Sequence, residues 1–312
     1  MMEKNAKIYV AGHRGLVGSA IVRKLKEEGY TNIITRTHSE LDLTDQRATR
    51  EFFEKERPEY VFLAAAKVGG ILANSVYRAD FGYTNLMIEC NVIKASYDYE
   101  VKKLLFVGTA AVYPEHCPQP IKEEYLLTGP LDSTKEAYAI AKIAGIKMCQ
   151  YFDEQYGTNF ISALPNNLYG PNDNFDLNTS HVIPALIRKF HTARVTGVEY
   201  VEVWGSGDQR REFLYVDDLA DALLFLMNNY NSSEPINVGT GEDISIRELA
   251  ELVKKVVGYE GKIVFDTTKP DGALRRVLDV SKLKALGWKY KLDLQTGLKI
   301  TYEAFLKQLK SL

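Results

Sequence analysis

The chain has 312 residues, enough for a large lobe and a smaller one at roughly 100 to 200 residues per domain. With 46% hydrophobic and 26% charged residues it is not a disordered or collagen-like chain. A formal net charge of -2 excludes the broad basic field that nucleic acid or an anionic membrane would require, so an anionic partner must be held by local geometry, as suits a small phosphate-bearing ligand.

No apolar run approaches the roughly 20 residues that span a bilayer, and the opening MMEKNAKIYV lacks a signal-peptide apolar core. The cytoplasm is the expected compartment. Cys90, Cys117 and Cys149 are an odd number without CxxC spacing, so they read as reduced thiols rather than a disulfide framework or a zinc site.

Short apolar runs recur along the first half: KIYVA (7–11), NIITR (32–36), YVFLAAA (60–66), KLLFVG (103–108) and FISAL (160–164). Each is too short for a helix and rich in β-branched or aromatic residues, which predicts a strand. Helix-length stretches lie between them. LVGSAIVRKLKEEG carries Leu16, Val17, Ala20, Ile21 and Leu25 at helical spacing, with Gly29 as its stop. This alternation implies βαβ units. The expected fold class is α/β: a Rossmann-type doubly wound parallel sheet with a smaller C-terminal α/β lobe.

From about Asn172 the pattern loosens into the polar, turn-rich NDNFDLNTSH. HVIPALIRKF then predicts a helix, EYVEVWGSG a strand, VDDLADALLFLMNN a helix and INVGTG a strand that rejoins the main sheet; ISIRELAELVKKVVGY resumes the alternation. The expected domains are 1–171 with about 211–240 for the nucleotide-binding lobe, and about 172–210 with 241–312 for the second lobe.

Gly12, His13, Arg14, Gly15, Leu16, Val17 and Gly18 form a GxxGxxG loop directly after the first predicted strand and at the start of the first helix. Glycines there permit a tight turn and let backbone amides approach a pyrophosphate at a helix N-terminus. A close-packed turn without a ligand would look the same, but the strand before and the helix after meet the condition for dinucleotide binding. At the end of the second strand, where an acid would hold a ribose 2'-hydroxyl, stand Arg36, Thr37 and His38. Arg36 favours a 2'-phosphate and hence NADPH, with Arg14 as a second phosphate partner; surface arginines without a ligand are the plainer alternative. Asp42 is the expected polar contact near the adenine, and Leu43, Ala64 and Ala66 complete the expected cofactor set.

Tyr138 and Lys142, in STKEAYAIAKIAGIKMC, are four residues apart and share one helix face. An ammonium beside a phenol favours the phenolate, which brings the proton donor closer to the operating pH. In isolation the pair could equally be a core tyrosine beside a solvated lysine. Thr109, in GTAAVYP, supplies a hydroxyl to hydrogen-bond a substrate carbonyl. These three groups polarise a ketone for hydride delivery without a metal, and His13, His38, His116, His181 and His191 lack ligand spacing.

With these motifs the chain resembles the extended short-chain dehydrogenase/reductases. AGHRGLVGSAI, LAAAKVGGI, YAIAKIAGIK, NLYGPNDNF, SHVIPALIRKF, WGSG, REFLYVDD and INVGTG together resemble the GDP-L-fucose synthase family over nearly the whole chain. The resemblance implies NADPH-dependent epimerisation at C3 and C5 of a GDP-linked 4-keto sugar, then reduction at C4, by a homodimer. It adds Pro165, Asn166, Asn167, Leu168 and His181 to the cofactor and catalytic set. Lys189, Trp204, Arg211 and Asp271 are the implied substrate contacts; the two cations suit a diphosphate and Trp204 offers an apolar face.

One position departs from the family. Two residues after Thr109 the family carries a cysteine that resembles the base for the proton beside the ketone, and this chain has Ala111. General acid or base catalysis is worth about 100- to 10,000-fold, so epimerisation is expected to be slow. Rescue by His116 or Cys117 would need a loop side chain held at the sugar and activated. The expected activity is C4 reduction of a GDP-linked 4-keto sugar, a 6-deoxyhexose or a heptose of the surface-polysaccharide type. A bifunctional GDP-L-fucose synthase and a non-catalytic nucleotide-binding protein are the alternatives.

Overall fold

Residues 1–269 and 272–310 are described by the structure, a computed structural model. The first half runs β1 (Ile8–Ala11), α1 (Leu16–Glu27), β2 (Ile33–Ile34), α2 (Gln46–Glu56), β3 (Tyr60–Leu63), α3 (Ile71–Val76), α4 (Arg78–Asp98), β4 (Lys103–Val107), α5 (Glu136–Tyr156) and β5 (Phe160–Pro165). The second half runs β6 (Asn167–Tyr169), α6 (Val182–Thr196), β7 (Tyr200–Trp204), β8 (Arg210–Arg211), β9 (Phe213–Tyr215), α7 (Val216–Asn229), β10 (Ile236–Val238), β11 (Ile244–Ser245), α8 (Ile246–Val257), β12 (Lys262–Asp266), β13 (Arg275–Arg276), α9 (Ser281–Ala285) and α10 (Leu294–Lys310).

All five apolar runs of the first half become strands of one parallel sheet, and β10 joins it beside β5, in the order β10-β5-β4-β3-β1-β2. β1, β4 and β5 are buried throughout, because side chains alternate between two covered faces. Tyr9, Val61 and Phe106 pack with Phe53 of α2, Val92 of α4 and Ile146 of α5. On the opposite face Ile8, Val10, Phe62 and Leu105 pack with Ile21 and Leu25 of α1 and Leu219 and Leu223 of α7.

The chain goes outward from β1 to β2 and returns to β3 on the other side of β1. Connections diverging in this way open a crevice at the carboxyl ends of the strands, where open α/β sheets bind ligands.

A third core joins Ile187 and Phe190 of α6, Val253 of α8 and Leu298 and Phe305 of α10. Three small sheets surround it: β12-β7, β6-β9 and β11-β8-β13. Glu212, fully buried between β8 and β9, ties these parts together. Its carboxylate accepts hydrogen bonds from Asn166 Nδ2 (2.9 Å), the Gly241 amide (2.7 Å) and the Leu278 amide (2.8 Å). A buried carboxylate needs several such donors to offset its desolvation. Among the described residues no helix is long and apolar enough to cross a membrane.

Candidate active site

The glycine loop joins β1 to α1 beneath the end of β3. Gly12 has φ +85°, and a Cβ there would stand 2.7 Å from the Ala65 amide nitrogen. A Cβ on Gly18 would stand 2.2 Å from the Gly12 carbonyl oxygen, so helix and turn meet at backbone distance. Gly15, the N-cap residue of α1, offers no side-chain cap, which leaves the first amides of the helix for a ligand. The buried His13 Nδ1 has no hydrogen-bond partner among the described residues. This cradle fits the diphosphate of a dinucleotide.

Arg36 follows β2 at the same edge. Its guanidinium pairs with Glu56 at 2.7 Å and donates to the Thr35 carbonyl at 2.8 Å, which holds it beside the crevice. Arg14 and Arg36 both act on Glu40, whose carboxyl is held below the usual range by hydrogen bonds from Thr37 and then by these two cations. His38 lies 3.8 Å from Asp42. The Asp42 carboxylate accepts from the Thr44 amide (2.9 Å) and hydroxyl (2.7 Å), closing its own turn. Leu43 is packed in the core, and Ala64 and Ala66 are half-buried at the end of β3, flanking Ala65 where it meets Gly12.

At the carboxyl end of β4 the chain makes a short 3-10 turn, Ala110–Val112, capped by the Thr109 hydroxyl, which accepts from the Ala111 amide at 3.2 Å. Tyr138 stands in the first turns of α5, close enough for the Thr109 hydroxyl to act on its phenol. One turn on, Lys142 is 2% exposed; its Nζ donates to the Val107 carbonyl at 3.1 Å and pairs with Glu89 of α4 at 3.1 Å. The ammonium lies 5.9 Å from the centroid of the Tyr138 ring. Enclosure pushes the Tyr138 phenol above the ordinary tyrosine value, Lys142 pulls it down, Glu89 raises it and the Thr109 hydrogen bond lowers it. Burial pushes the Glu89 carboxyl up to about 7 against the pull of Lys142. Tyr138 and Lys142 thus lie one helical turn apart on α5, with Thr109 at the end of β4.

His181 is exposed as the N-cap residue of α6. The surrounding walls and then the Lys135 cation hold its imidazole below the ordinary value. Lys135, three residues before Tyr138, escaped the sequence reading. Its side chain is 37% exposed and lies 3.9 Å from Asp132. The walls push its ammonium down, Asp132 opposes, and Arg276 and Arg211 add to the lowering. Implied substrate contact Arg211 therefore shares an electropositive cleft with two residues that no motif announced.

Arg276 ties this cleft to the turn after β4, donating to the carbonyls of Ala110 (3.0 Å) and Pro114 (3.1 Å). Asn166 is held by Glu212, and Asn167 donates to the Glu212 carbonyl at 2.9 Å and to Asn166 Oδ1 at 3.0 Å. Pro165 is buried and Leu168 half-buried beside them. Lys189 and Trp204 meet at 5.8 Å on the exposed side of α6 and β7. Asp271 lies outside the described residues. Ala111 is half-buried, His116 exposed, and burial pushes the half-buried Cys117 thiol up while Arg276 opposes.

Residues 8–239 match the NAD dependent epimerase/dehydratase family. GDP-L-fucose synthase 1 of Arabidopsis thaliana is 59% identical over 307 residues, covering 98% of this chain and 95% of the relative. Two solved structures from Campylobacter jejuni are also similar. The GDP-mannoheptose C4 reductase with NADP bound is 44% identical, covering 98% of this chain and 100% of its own, with a TM-score of 0.91. The GDP-6-OMe-4-keto-L-xylo-heptose reductase is 43% identical, covering 98% and 99%, with a TM-score of 0.94. Glycine cradle, parallel sheet and tyrosine–lysine helix thus agree with similarity along the whole chain, which belongs to the NAD dependent epimerase/dehydratase family and, within it, to the GDP-L-fucose synthases.

Proposed function

We propose that this protein is an NADPH-dependent reductase of the C4 ketone of a GDP-linked 4-keto sugar, a 6-deoxyhexose or a heptose, with little or no epimerisation at C3 and C5. The observation that carries this reading is the Thr109, Tyr138 and Lys142 group at the end of β4 with a methyl group at Ala111. In this reading the cradle of Gly12 to Gly18 and the ends of β2 and β3 hold NADP, with residues 165–168 beside the reacting ring. Lys189, Trp204, Arg211 and Asp271 hold the GDP-sugar in the second lobe.

NADPH, when bound, supplies the hydride for C4. Thr109 and Tyr138 orient the ketone oxygen, and Tyr138 gives up its proton as charge develops there. Lys142 steadies the resulting phenolate until solvent returns the proton. Because enclosure raises the phenol, its donating form persists through neutral pH. Reduction is expected to stay level from about pH 6 to 8 and fall in alkali, while alcohol oxidation rises there. Initial rates in both directions check this; an acidic optimum for oxidation would contradict it.

Incubation with GDP-4-keto-6-deoxymannose and NADPH in deuterated water tests the function. Reduction without deuterium at C3 or C5 supports a dedicated C4 reductase. Deuterium at both carbons in a fucose product supports the bifunctional alternative.

Arg36→Ala is expected to weaken NADPH by about 10- to 100-fold, the worth of a charged hydrogen bond, and NADH far less. Equal losses in fluorescence titration would remove the case for 2'-phosphate recognition. A homodimer belongs to the same reading, supported by the exposed Tyr83 on α4 and Ile140 and Tyr151 on α5.

A further inference from the structure

Glu89 lies beneath the tyrosine and lysine without a part in the proton transfer just derived. It is 1% exposed, and its Oε1 lies 3.1 Å from Lys142 Nζ. Beyond that ion pair neither carboxylate oxygen has a hydrogen-bond partner among the described residues. A buried charge so thinly paired is costly, and an apolar side chain of similar volume would be cheaper to bury.

α5 is shaped to receive it. A Cβ on Gly145 would stand 2.8 Å from Glu89 Oε2 and 2.5 Å from the Phe106 ring. Glycine is a poorer helix former than alanine. The notch it opens admits both the carboxylate and the ring. Lys142 Nζ is then anchored by Glu89, by the Val107 carbonyl at 3.1 Å and by the face of Phe106 at 4.6 Å from its centroid.

We propose that Glu89 is a positioning residue for reduction: its carboxylate fixes the Lys142 ammonium and offsets that cation, so that Tyr138 keeps its proton until the ketone takes it. This rests on the reductase reading above. A lysine alone would favour the phenolate, which cannot donate. The titratable groups facing the pair are Tyr138 and Cys149 from α5 and Cys90 from α4. β4 and its turn contribute the Phe106 ring, the Val107 carbonyl and the Thr109 hydroxyl, none of which titrates. Glu89 is thus the carboxylate that acts on the phenol, and its effect is to raise it.

The test is NMR of the NADP-bound protein with 13C-labelled tyrosine, the Tyr138 resonance being assigned by its loss in Tyr138→Phe. Glu89→Gln is expected to lower the pH at which Tyr138 ionises by about one unit, within the range for removing a nearby charge. The alkaline limb of keto-sugar reduction should move down by the same amount. Glu89→Asp, with its carboxylate drawn back by one methylene, should produce a smaller shift in the same direction, and it decides the matter if Glu89→Gln does not fold. An unmoved Tyr138 titration in a folded variant that binds NADP as the parent does would leave Glu89 a packing residue and overturn the proposal. The NMR readout needs no sugar, so a parent protein that reduced no keto sugar would count against the proposed function and leave this test standing.

Discussion

Tyr138→Phe is expected to slow keto-sugar reduction by about 100- to 10,000-fold while leaving NADPH affinity unchanged. The substitution removes one oxygen and keeps the ring, so α5 and the glycine cradle lose no packing. What disappears is the proton that must reach the C4 oxygen as hydride arrives at carbon. The structure places the Thr109 hydroxyl where it acts on that phenol, with a buried ammonium one helical turn away. Loss of absorbance at the NADPH band measures the rate, and nucleotide fluorescence measures the affinity. Comparable turnover would mean that another group protonates the sugar, with Lys135 the first to examine because it stands beside His181 in the same cleft.

Gly18→Ala is expected to weaken NADPH binding by about 100-fold or more, since overpacking against immovable atoms costs about 3 kcal/mol. The new methyl group would lie 2.2 Å from the Gly12 carbonyl oxygen and 2.9 Å from the His13 Cα. Both are backbone atoms of the turn, so relief requires moving the cradle itself. Gly15→Ala provides a comparison: its Cβ would meet the Gly12 oxygen at 3.5 Å, an ordinary contact. A folded Gly15→Ala protein with weakened NADPH binding would show that this glycine keeps space for the ligand. Isothermal titration of both variants, with thermal unfolding alongside, separates a lost cradle from a lost fold. Parent-like affinity in Gly18→Ala would remove the turn from the binding site.

The proposed base deficiency bears on product outcome. Ala111 carries only a methyl group, while Thr109, Tyr138 and Lys142 are assembled beside it. The proposed reading and its bifunctional alternative differ at C3 and C5 of the sugar. Solvent deuterium is therefore the sharper probe, because reduction alone occurs under either reading.

Much of this protein is legible residue by residue. KIYVA, YVFLAAA, KLLFVG and FISAL announce buried strands because a sheet covered on both faces needs apolar side chains at every position. The glycine loop is legible because its turn and its close backbone approach both exclude a Cβ. Tyr138 and Lys142 are legible because helical spacing puts them on one face. Each of these follows from constraints within one element.

Glu89, Lys135, Arg276 and Glu212 were not legible. The only hint of Glu89 was an acid set among the apolar residues of MIECNVI, and nothing in that stretch indicates Lys142 as its partner. Their pairing depends on α4 and α5 lying side by side over the same face of the sheet, which follows from the spatial order of the strands. The local surroundings of Asp42 and Leu43 were likewise decided by the fold: Asp42 accepts hydrogen bonds from Thr44, and Leu43 packs in the core. Periodicity specifies which way a side chain faces along its own strand or helix; which charge it meets is set by how distant elements pack, since electrostatic partners and desolvation depend on separation in space.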